Sequence, residues 1–286
     1  MKAIVVAVFV KDDLTQRQID NLLNLENIDN YHVYFYQDHT INSPKYNTPH
    51  YSTKLENVKS IITNNLSKFK SATFNRSGTN LHPYGICKAS LDYAFGQNEF
   101  CIFLEDDVFL AKNALKWFDY IYENKLLSWN TYKFCTGESI FFDTHDMNKN
   151  PTCEEIDNIK QYVKENEYNK YFYEINHFLT SSIFATTKQI WNTQIRTVRG
   201  SMNGECALND LINKHKWKSI FPLVPFARDI GMTHDDGWSV AWNTKAGVRE
   251  IKNVYLMADE FEIPNSFELL PNNINKDVIY SKTNFI

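Results

Sequence analysis

Three consecutive acidic residues, Glu105, Asp106 and Asp107, follow directly after an apolar run at residues 100–104. Such a run predicts a buried central strand, whose carboxyl end meets the crevice where open α/β sheets bind ligands. Carboxylate oxygens are the preferred ligands of hard divalent cations, which neutralise diphosphates. An Asp-Asp pair is also common in solvated turns and at helix N-caps, but the next helix is predicted to begin only near Asn113. We therefore predict a metal and diphosphate site here.

A carboxylate that could act as a general base occurs at Glu205. Asn203 is typical of a helix N-cap, and Glu205 then falls in the first turn of a helix whose inner face carries Leu208, Leu211 and Ile212. A carboxylate at a rigid helix N-terminus can accept a proton from an incoming hydroxyl. The alternative interpretation is the ordinary enrichment of acids in first turns.

Polar residues also follow the earlier predicted strands. The first strand ends at Val10 and Lys11 follows it, Asp38 comes at the end of the second strand, and Arg76 follows the third. Asp38 could accept a hydrogen bond from the imide N–H of a uracil, and Arg76 could hold a phosphate. Each cluster alone is equally typical of a turn. Together with the acids of the fourth strand, they predict one crevice at one edge of a sheet.

Two further groups have weaker patterns. His234 is a candidate metal ligand on a late loop, or a hydrogen-bonded loop histidine. Tyr171, Phe172 and Tyr173 suit a wall that stacks on sugars, or a small core within their own segment. Trp238 and Trp242 could cover a bound donor substrate, or could pack under the C-terminal residues that follow them.

The first 126 residues alternate between strand and helix patterns, which predicts a mostly parallel sheet with helices on both faces. The strands are predicted at residues 3–10, 31–37, 71–74 and 100–104. The second half contains a predicted strand at 132–142, a polar segment at 143–176 that suits a lid or specificity loop, strands at 182–186 and 217–224, and a helix at 205–216. We divide the chain into a domain of residues 1–240, with halves 1–126 and 127–240, and a C-terminal extension, 241–286.

Composition excludes several classes of protein. With a formal net charge of −4, the chain has no general electrostatic attraction for nucleic acid or anionic membranes. Its five cysteines form no CxxC pair, which favours reduced thiols in a cytoplasmic protein. The apolar run at residues 3–10 is too short to span a membrane.

The acidic triplet and the polar residues after the earlier strands give the sequence a resemblance to the metal-dependent GT-A glycosyltransferases. Among these, it resembles the N-acetylglucosaminyltransferase I type. The resemblance extends from about residue 3 to residue 237. It rests on Tyr36-Gln-Asp38, on Ala94-Phe-Gly-Gln97, on Phe103-Leu-Glu-Asp-Asp-Val108 with Asn113-Ala-Leu-Lys-Trp-Phe118, and on the Glu205 helix leading into Ser219-Ile-Phe-Pro222.

The resemblance implies a role for each matching residue. Asp107, the last acid of the DxD-like triplet, would coordinate Mn²⁺ or Mg²⁺, while Asp106 and Glu105 would face the ribose and the transferred sugar. Asp38 would contact uracil and Glu205 would be the catalytic base. The family type has aspartate at the position of Glu205, and Asp210 is the competing candidate.

We therefore expect an inverting glycosyltransferase that moves a sugar, by resemblance N-acetylglucosamine, from a UDP-sugar to a hydroxyl of a glycan or glycolipid. We expect a soluble bacterial enzyme that reaches the inner face of the membrane only through its acceptor. One alternative is a nucleotidyltransferase, which usually needs a glycine-rich loop that residues 10–14 do not contain. The other is a non-catalytic carbohydrate-binding protein.

Overall fold

The computed structural model describes residues 1–128, 130–139, 141, 153–176, 182–196, 204–231, 234–236 and 257–283. The strands are β1 (Lys2–Val8), β2 (Tyr31–Gln37), β3 (Ala72–Arg76), β4 (Phe100–Glu105), β5 (Val108–Leu110), β6 (Tyr132–Cys135), β7 (Tyr171–Asn176), β8 (Ile183–Thr187), β9 (Lys218–Pro222), β10 (Ala227–Asp229) and β11 (Glu268–Leu269). The helices are α1 (Asp12–Leu23), α2 (Pro49–Asn65), α3 (His82–Ala94), α4 (Ala114–Glu123), α5 (Cys153–Glu165), α6 (Lys188–Ile190), α7 (Gly204–His215) and α8 (Lys276–Thr283).

Among the described residues, nine strands form one sheet in the order β11-β7-β9-β6-β8-β4-β1-β2-β3, and β10 pairs with β5 in a separate ribbon. The interior strand β1 is parallel to both of its neighbours, β2 and β4. Antiparallel pairing occurs where β8 joins β4 and β6, and where β7 joins β9. The predicted class, α/β with a mixed, mostly parallel sheet, is confirmed.

The connections create a crevice at the carboxyl ends of β1 and β4. From β1 the chain moves outward through α1 to β2 and through α2 to β3, and α3 then returns it across the sheet to β4. Because such crossovers are right-handed, α3 lies on the opposite face from α1 and α2. The strand order therefore reverses between β1 and β4, and the loops after these two strands diverge to leave a ligand-binding crevice.

Three predicted strands end earlier in the structure; one of them is the strand predicted at 217–224, since β9 ends at Pro222. β1 ends at Val8, so Phe9 and Val10 belong to the connection that leads into α1. β6 ends at Cys135 because the next carbonyl groups bond elsewhere: Gly137 O accepts hydrogen bonds from the N–H groups of Phe226 and Ala227, at 2.7 and 3.0 Å. Residues 140 and 142 lie outside the described residues.

The aromatic cluster Tyr171–Tyr173 is part of a core strand. β7 lies between β9 and β11, and Phe172 and Tyr173 are buried in the main hydrophobic core. The two interpretations offered for these residues, a sugar-stacking wall and a separate small core, were therefore wrong for Phe172 and Tyr173. Residues 143–152 of the predicted lid segment lie outside the described residues.

Residues 257–283 pack on the same core as the rest of the chain. β11 pairs with β7, and Ala258, Phe261, Ile263 and Phe267 are buried within the main cluster. Residues 237–256 lie outside the described residues, so Trp238, Trp242 and the predicted boundary near residue 241 are not covered. No helix in the described part of the chain is long and apolar enough to cross a membrane.

Candidate active site

The acids after β4 lie beside the loop that follows β1, as the sheet topology requires. Ala7 of β1 is in register with Glu105 of β4, and the backbone N–H of Phe9 donates to Asp106 Oδ2 at 3.0 Å. A buried glutamine of α1, Gln18, donates to the carbonyl oxygens of Glu105 and Val108, at 2.7 and 3.2 Å. These bonds hold the turn that carries Asp106 and Asp107 against the β1–α1 connection and the middle of α1.

Lys11 joins the two aspartates. Its Nζ donates to Asp106 Oδ1 at 2.8 Å and forms a second ion pair with Asp107 Oδ2. Burial alone would lower the pKa of Lys11, but the charges of Asp106 and Asp107 outweigh it, so the pKa lies well above its usual value. The lysine is therefore charged, and it neutralises part of the acidic cluster.

The ribbon β5–β10 adds a third aspartate to this edge. Asp229 is in register with Val108, and its Oδ1 accepts the N–H of Gly231 at 2.8 Å. Gly231 lies directly against Asp107, because a Cβ atom on residue 231 would be 1.5 Å from Asp107 Oδ2. Burial and then the charges of Asp107, Glu138 and Glu105 raise the pKa of Asp229 well above its usual value.

The carboxyl oxygens of Asp107 and Asp229 are suitable ligands for a hard divalent cation. Asp107 is 5% exposed, and its Oδ1 is buried with no hydrogen-bond partner among the described residues. The described residues contain no group of three His, Cys, Asp or Glu side chains arranged for a metal. Mg²⁺, however, is commonly held by one or two carboxylates, with substrate phosphates and water completing its coordination.

Asp38 organises the connections after β2 and β3. Its Oδ1 accepts hydrogen bonds from the N–H groups of His39 and Leu81, both at 2.8 Å, and from Ser77 Oγ at 3.1 Å. Its Oδ2 accepts from Asn80 Nδ2 at 3.1 Å. Burial raises the pKa of Asp38, while the hydrogen bonds oppose that shift. Oδ2 has the capacity for a further donor, such as an imide N–H.

Arg76 and Val10 have structural partners. Arg76 lies at the end of the edge strand β3 and donates to Gln37 Oε1 at 2.8 Å and to Glu56 Oε1 at 2.6 Å. The side chain of Val10 is fully buried in a small apolar cluster with Tyr46. The partners of both side chains are thus other protein groups, and neither Lys11 nor its two aspartates is among these partners.

His234 fastens its loop to α1. Its Nε2 bonds to Asp13 Oδ1 at 3.0 Å, and its Nδ1 accepts the N–H of Asp236 at 3.1 Å. Asp236 also forms an ion pair with Lys54 of α2. Both ring nitrogens of His234 are thus engaged by protein groups.

The two candidates for the base lie on α7. Glu205 occupies the first turn, and its side chain lies outside the described residues; Asp210 is exposed. β9 runs parallel to β6, which has the same direction as β4 because both are antiparallel to β8. β9 therefore begins at the amino edge of the sheet, and a helix that leads into it runs from the carboxyl edge to the amino edge. The N-terminus of α7 is therefore directed toward the edge that carries Asp107.

Three residues near Asp107 were not predicted from the sequence: Asp229, Glu138 and Gly231. β10 spans three residues, which is too short for a periodic pattern, and Glu138 follows a strand that ends early. The sequence signal for Asp229 is only its position between an apolar run and a glycine. The contact with Asp107 is long-range and depends on the β5–β10 pairing.

The known proteins that are similar to this chain are solved structures. No protein-family model matches the chain, and no curated protein matches it. Solved structures that are similar include TarS of S. aureus, at 10% sequence identity and a TM-score of 0.47, where the match covers 78% of this chain and 36% of TarS. The chain thus spans about a third of that protein.

Two further similar structures are a shorter form of TarS and UDP-glucose pyrophosphorylase. TarS 1–349 in complex with UDP has a TM-score of 0.48 at 10% identity, with 84% of this chain and 68% of that one covered. UDP-glucose pyrophosphorylase has a TM-score of 0.42 at 10% identity, with 85% and 98% covered. Similarity at these levels identifies neither the family nor the reaction of this chain.

Proposed function

We propose that this chain is a divalent-metal-dependent glycosyltransferase of the GT-A, N-acetylglucosaminyltransferase I type. It would move a sugar, N-acetylglucosamine by resemblance, from a UDP-sugar to a hydroxyl of a glycan or glycolipid. The observation that carries the proposal is the convergence of Lys11, Asp106, Asp107 and Asp229 at the carboxyl edge of β1 and β4. Open α/β sheets bind nucleotides at this point of strand reversal.

The donor binds along the carboxyl edge of the sheet. Asp38 accepts the uracil imide N–H through Oδ2, and Asp106 and Glu105 accept hydroxyl groups of the ribose and the sugar. The loop of Val10 and Lys11 lies against the diphosphate. Arg76 contributes positive charge at the outer strand, with its guanidinium oriented by Gln37 and Glu56.

Asp107 and Asp229 are the residues that would hold Mn²⁺ or Mg²⁺, which when bound stabilises the charge on departing UDP. We assign His234 to fastening its loop rather than to the metal, because Asp13 and Asp236 engage its ring nitrogens. Glu205, or Asp210 in its place, accepts the proton of the acceptor hydroxyl. The acceptor oxygen then bonds to the anomeric carbon as the bond to UDP breaks, with inversion.

The proposal is tested by thermal unfolding with UDP, UDP-N-acetylglucosamine, UDP-glucose and UDP-galactose, each with and without Mn²⁺. Ligand at 100 times its Kd stabilises a protein by about 2.7 kcal/mol, so a true donor raises the Tm visibly. We expect the shift to need Mn²⁺ and to be lost in Asp107→Asn. The control is Asp157→Asn, because Asp157 is an exposed residue of α5.

The shift must then be connected with a reaction. Incubation of the stabilising donor should release UDP slowly by hydrolysis, because water can replace the acceptor. Formation of UTP and a sugar 1-phosphate on addition of pyrophosphate would instead identify a nucleotidyltransferase. No nucleotide-dependent shift in the wild type, or an equal shift in Asp107→Asn, would contradict the proposed site.

A further inference from the structure

Lys11 occupies one oxygen of each of the two carboxylates that the proposed donor complex uses. Its Nζ bonds to Asp106 Oδ1 at 2.8 Å and pairs with Asp107 Oδ2, and the side chains of Lys11, Asp106 and Asp107 are only 12%, 6% and 7% exposed. Asp106 Oδ2 is held by the N–H of Phe9. The ammonium is thus the cation that balances these two aspartates.

The proposed function gives the same aspartates other partners. There Asp106 accepts sugar or ribose hydroxyls, and Asp107 holds a divalent cation. An ammonium and a divalent cation on one carboxylate repel each other strongly in a buried setting. The two cations therefore compete for Asp107.

A diphosphate offers Lys11 an alternative partner. Lys11 precedes α1 and follows β1, so it belongs to the loop that borders the crevice at the strand reversal. Its four-carbon stem is flexible and its ammonium is a compact charge with three donors, which lets it change partners without a change of backbone.

From these contacts we infer that Lys11 is an exchangeable counter-cation. It pairs with Asp106 and Asp107 in the donor-free protein and moves to the diphosphate when nucleotide and metal bind together. The inference rests on the proposed function. It makes metal and nucleotide binding mutually dependent, because each relieves the obstacle that Lys11 presents to the other, and such coupling is reciprocal.

The variant that tests the exchange is Lys11→Met, which keeps most of the side-chain volume and removes the charge. Without UDP, it should bind Mn²⁺ at least about tenfold more tightly than the wild type, because the competing ammonium is gone. At saturating Mn²⁺, it should bind UDP at least about tenfold more weakly, because the diphosphate has lost its cation. Lys11→Arg should keep the wild-type pattern.

The matched control is Lys54→Met. Lys54 is also a partly buried lysine paired with a buried aspartate, Asp236, but it does not contact Asp106 or Asp107. Its replacement should leave both affinities unchanged. Free Mn²⁺ is measured by electron paramagnetic resonance and UDP binding by calorimetry, and neither readout needs an acceptor or turnover. Circular dichroism checks the fold, and Lys11→Gln replaces Lys11→Met if the latter does not fold.

The outcomes separate this inference from the proposed function. If Mn²⁺ binding tightens but UDP binding at saturating Mn²⁺ does not weaken, Lys11 stays on the aspartates and the exchange is refuted. Tight Mn²⁺ binding by the wild type without UDP would refute it too. If the wild type binds no UDP with or without Mn²⁺, the proposed function itself fails.

Discussion

The carboxylate of Asp107 is surrounded by groups from two distant parts of the chain. Lys11 pairs with Oδ2, Gly231 lies against the same oxygen, and Asp229 adds a neighbouring carboxyl group. A residue at 231 with a side chain would have to displace the carboxylate. Glycine is thus required by this close approach.

Gly231→Ala should disable the site. The added Cβ would lie 1.5 Å from Asp107 Oδ2, so the carboxylate or the loop must move. We expect metal-dependent UDP binding or transfer to fall about 100-fold, since displacements near 1 Å have effects of this size. Calorimetry with UDP and Mn²⁺ measures it. In the control, Gly78→Ala, the added Cβ meets no heavy atom within 4 Å, and binding should be unchanged.

Asp229 should make stability depend on pH. Burial and the charges of Asp107, Glu138 and Glu105 raise its pKa well above 3.8. A carboxyl whose pKa is raised by folding stabilises the protein below its unfolded pKa, and this contribution is lost as the pH rises through the folded pKa. Because the folded state holds this proton more tightly than the unfolded chain does, Asp229 lowers the free energy of unfolding increasingly as the pH rises above its unfolded pKa.

Asp229→Asn should accordingly raise the Tm at roughly pH 8 by about 3 °C in metal-free buffer. The difference from the wild type should shrink as the pH falls to about 4, the unfolded pKa of an aspartate, and below it, because the carboxyl is then protonated in both the folded and the unfolded state. Thermal unfolding across this pH range in a chelator measures it. A difference that is constant with pH would contradict the pKa shift.

At the scale of elements, the site depends on two features of the topology: the strand reversal between β1 and β4, and the β5–β10 ribbon. The strand reversal between β1 and β4 brings Lys11 to the acids, and the three-residue strands β5 and β10 bring Asp229 and Gly231. The loops after β2 and β3 are held by Asp38, which accepts hydrogen bonds from both of them.

Asp38→Ala should loosen these loops. It leaves the N–H groups of His39 and Leu81 and the hydroxyl of Ser77 without their acceptor, so we expect a loss of about 2–4 kcal/mol in the free energy of unfolding. Urea denaturation measures this. Asp38→Asn keeps the Oδ1 acceptor for these three donors and should lose much less. Equal losses in the two variants would show that the charge, rather than the hydrogen bonds, stabilises the loops.

At the scale of the whole molecule, residues of β1, near the start of the sequence, and buried residues after position 257 belong to one core. Phe267 packs edge-on against Trp117 at 4.9 Å between ring centroids, and its carbonyl accepts from Tyr120 Oη at 2.7 Å. β11 then extends the sheet beyond β7. The residues after 256 therefore contribute to the stability of the sheet.

Phe267→Ala should destabilise the whole protein by about 3–5 kcal/mol, because Phe267 is buried and a large cavity would form. Urea denaturation followed by tryptophan fluorescence and by circular dichroism should give one coincident transition. Leu269→Ala is the control: Leu269 is 49% exposed, and its effect should stay within about 0.5 kcal/mol. A separate early transition in the wild type would contradict a shared core.

The periodicity of the chain by itself determined the fold class, the order of the first four strands and helices, and the acids after β4. These features follow from local patterns: apolar runs, i to i+4 spacing and polar residues at strand ends. The resemblance added roles for Asp38, Asp107 and Glu205, which remain predictions. The predictions from sequence were wrong for Phe172 and Tyr173, because an aromatic cluster has the same sequence pattern in a core strand and in a binding wall.

The tertiary structure alone decided which groups surround Asp107. The pairing of Lys11 with two aspartates, the close approach of Gly231 and the arrival of Asp229 each join residues about a hundred or more positions apart. Such contacts depend on strand order, register and the early end of β6, which no local pattern encodes. The acids could be found from sequence, whereas their counter-cation could be identified only from the folded chain.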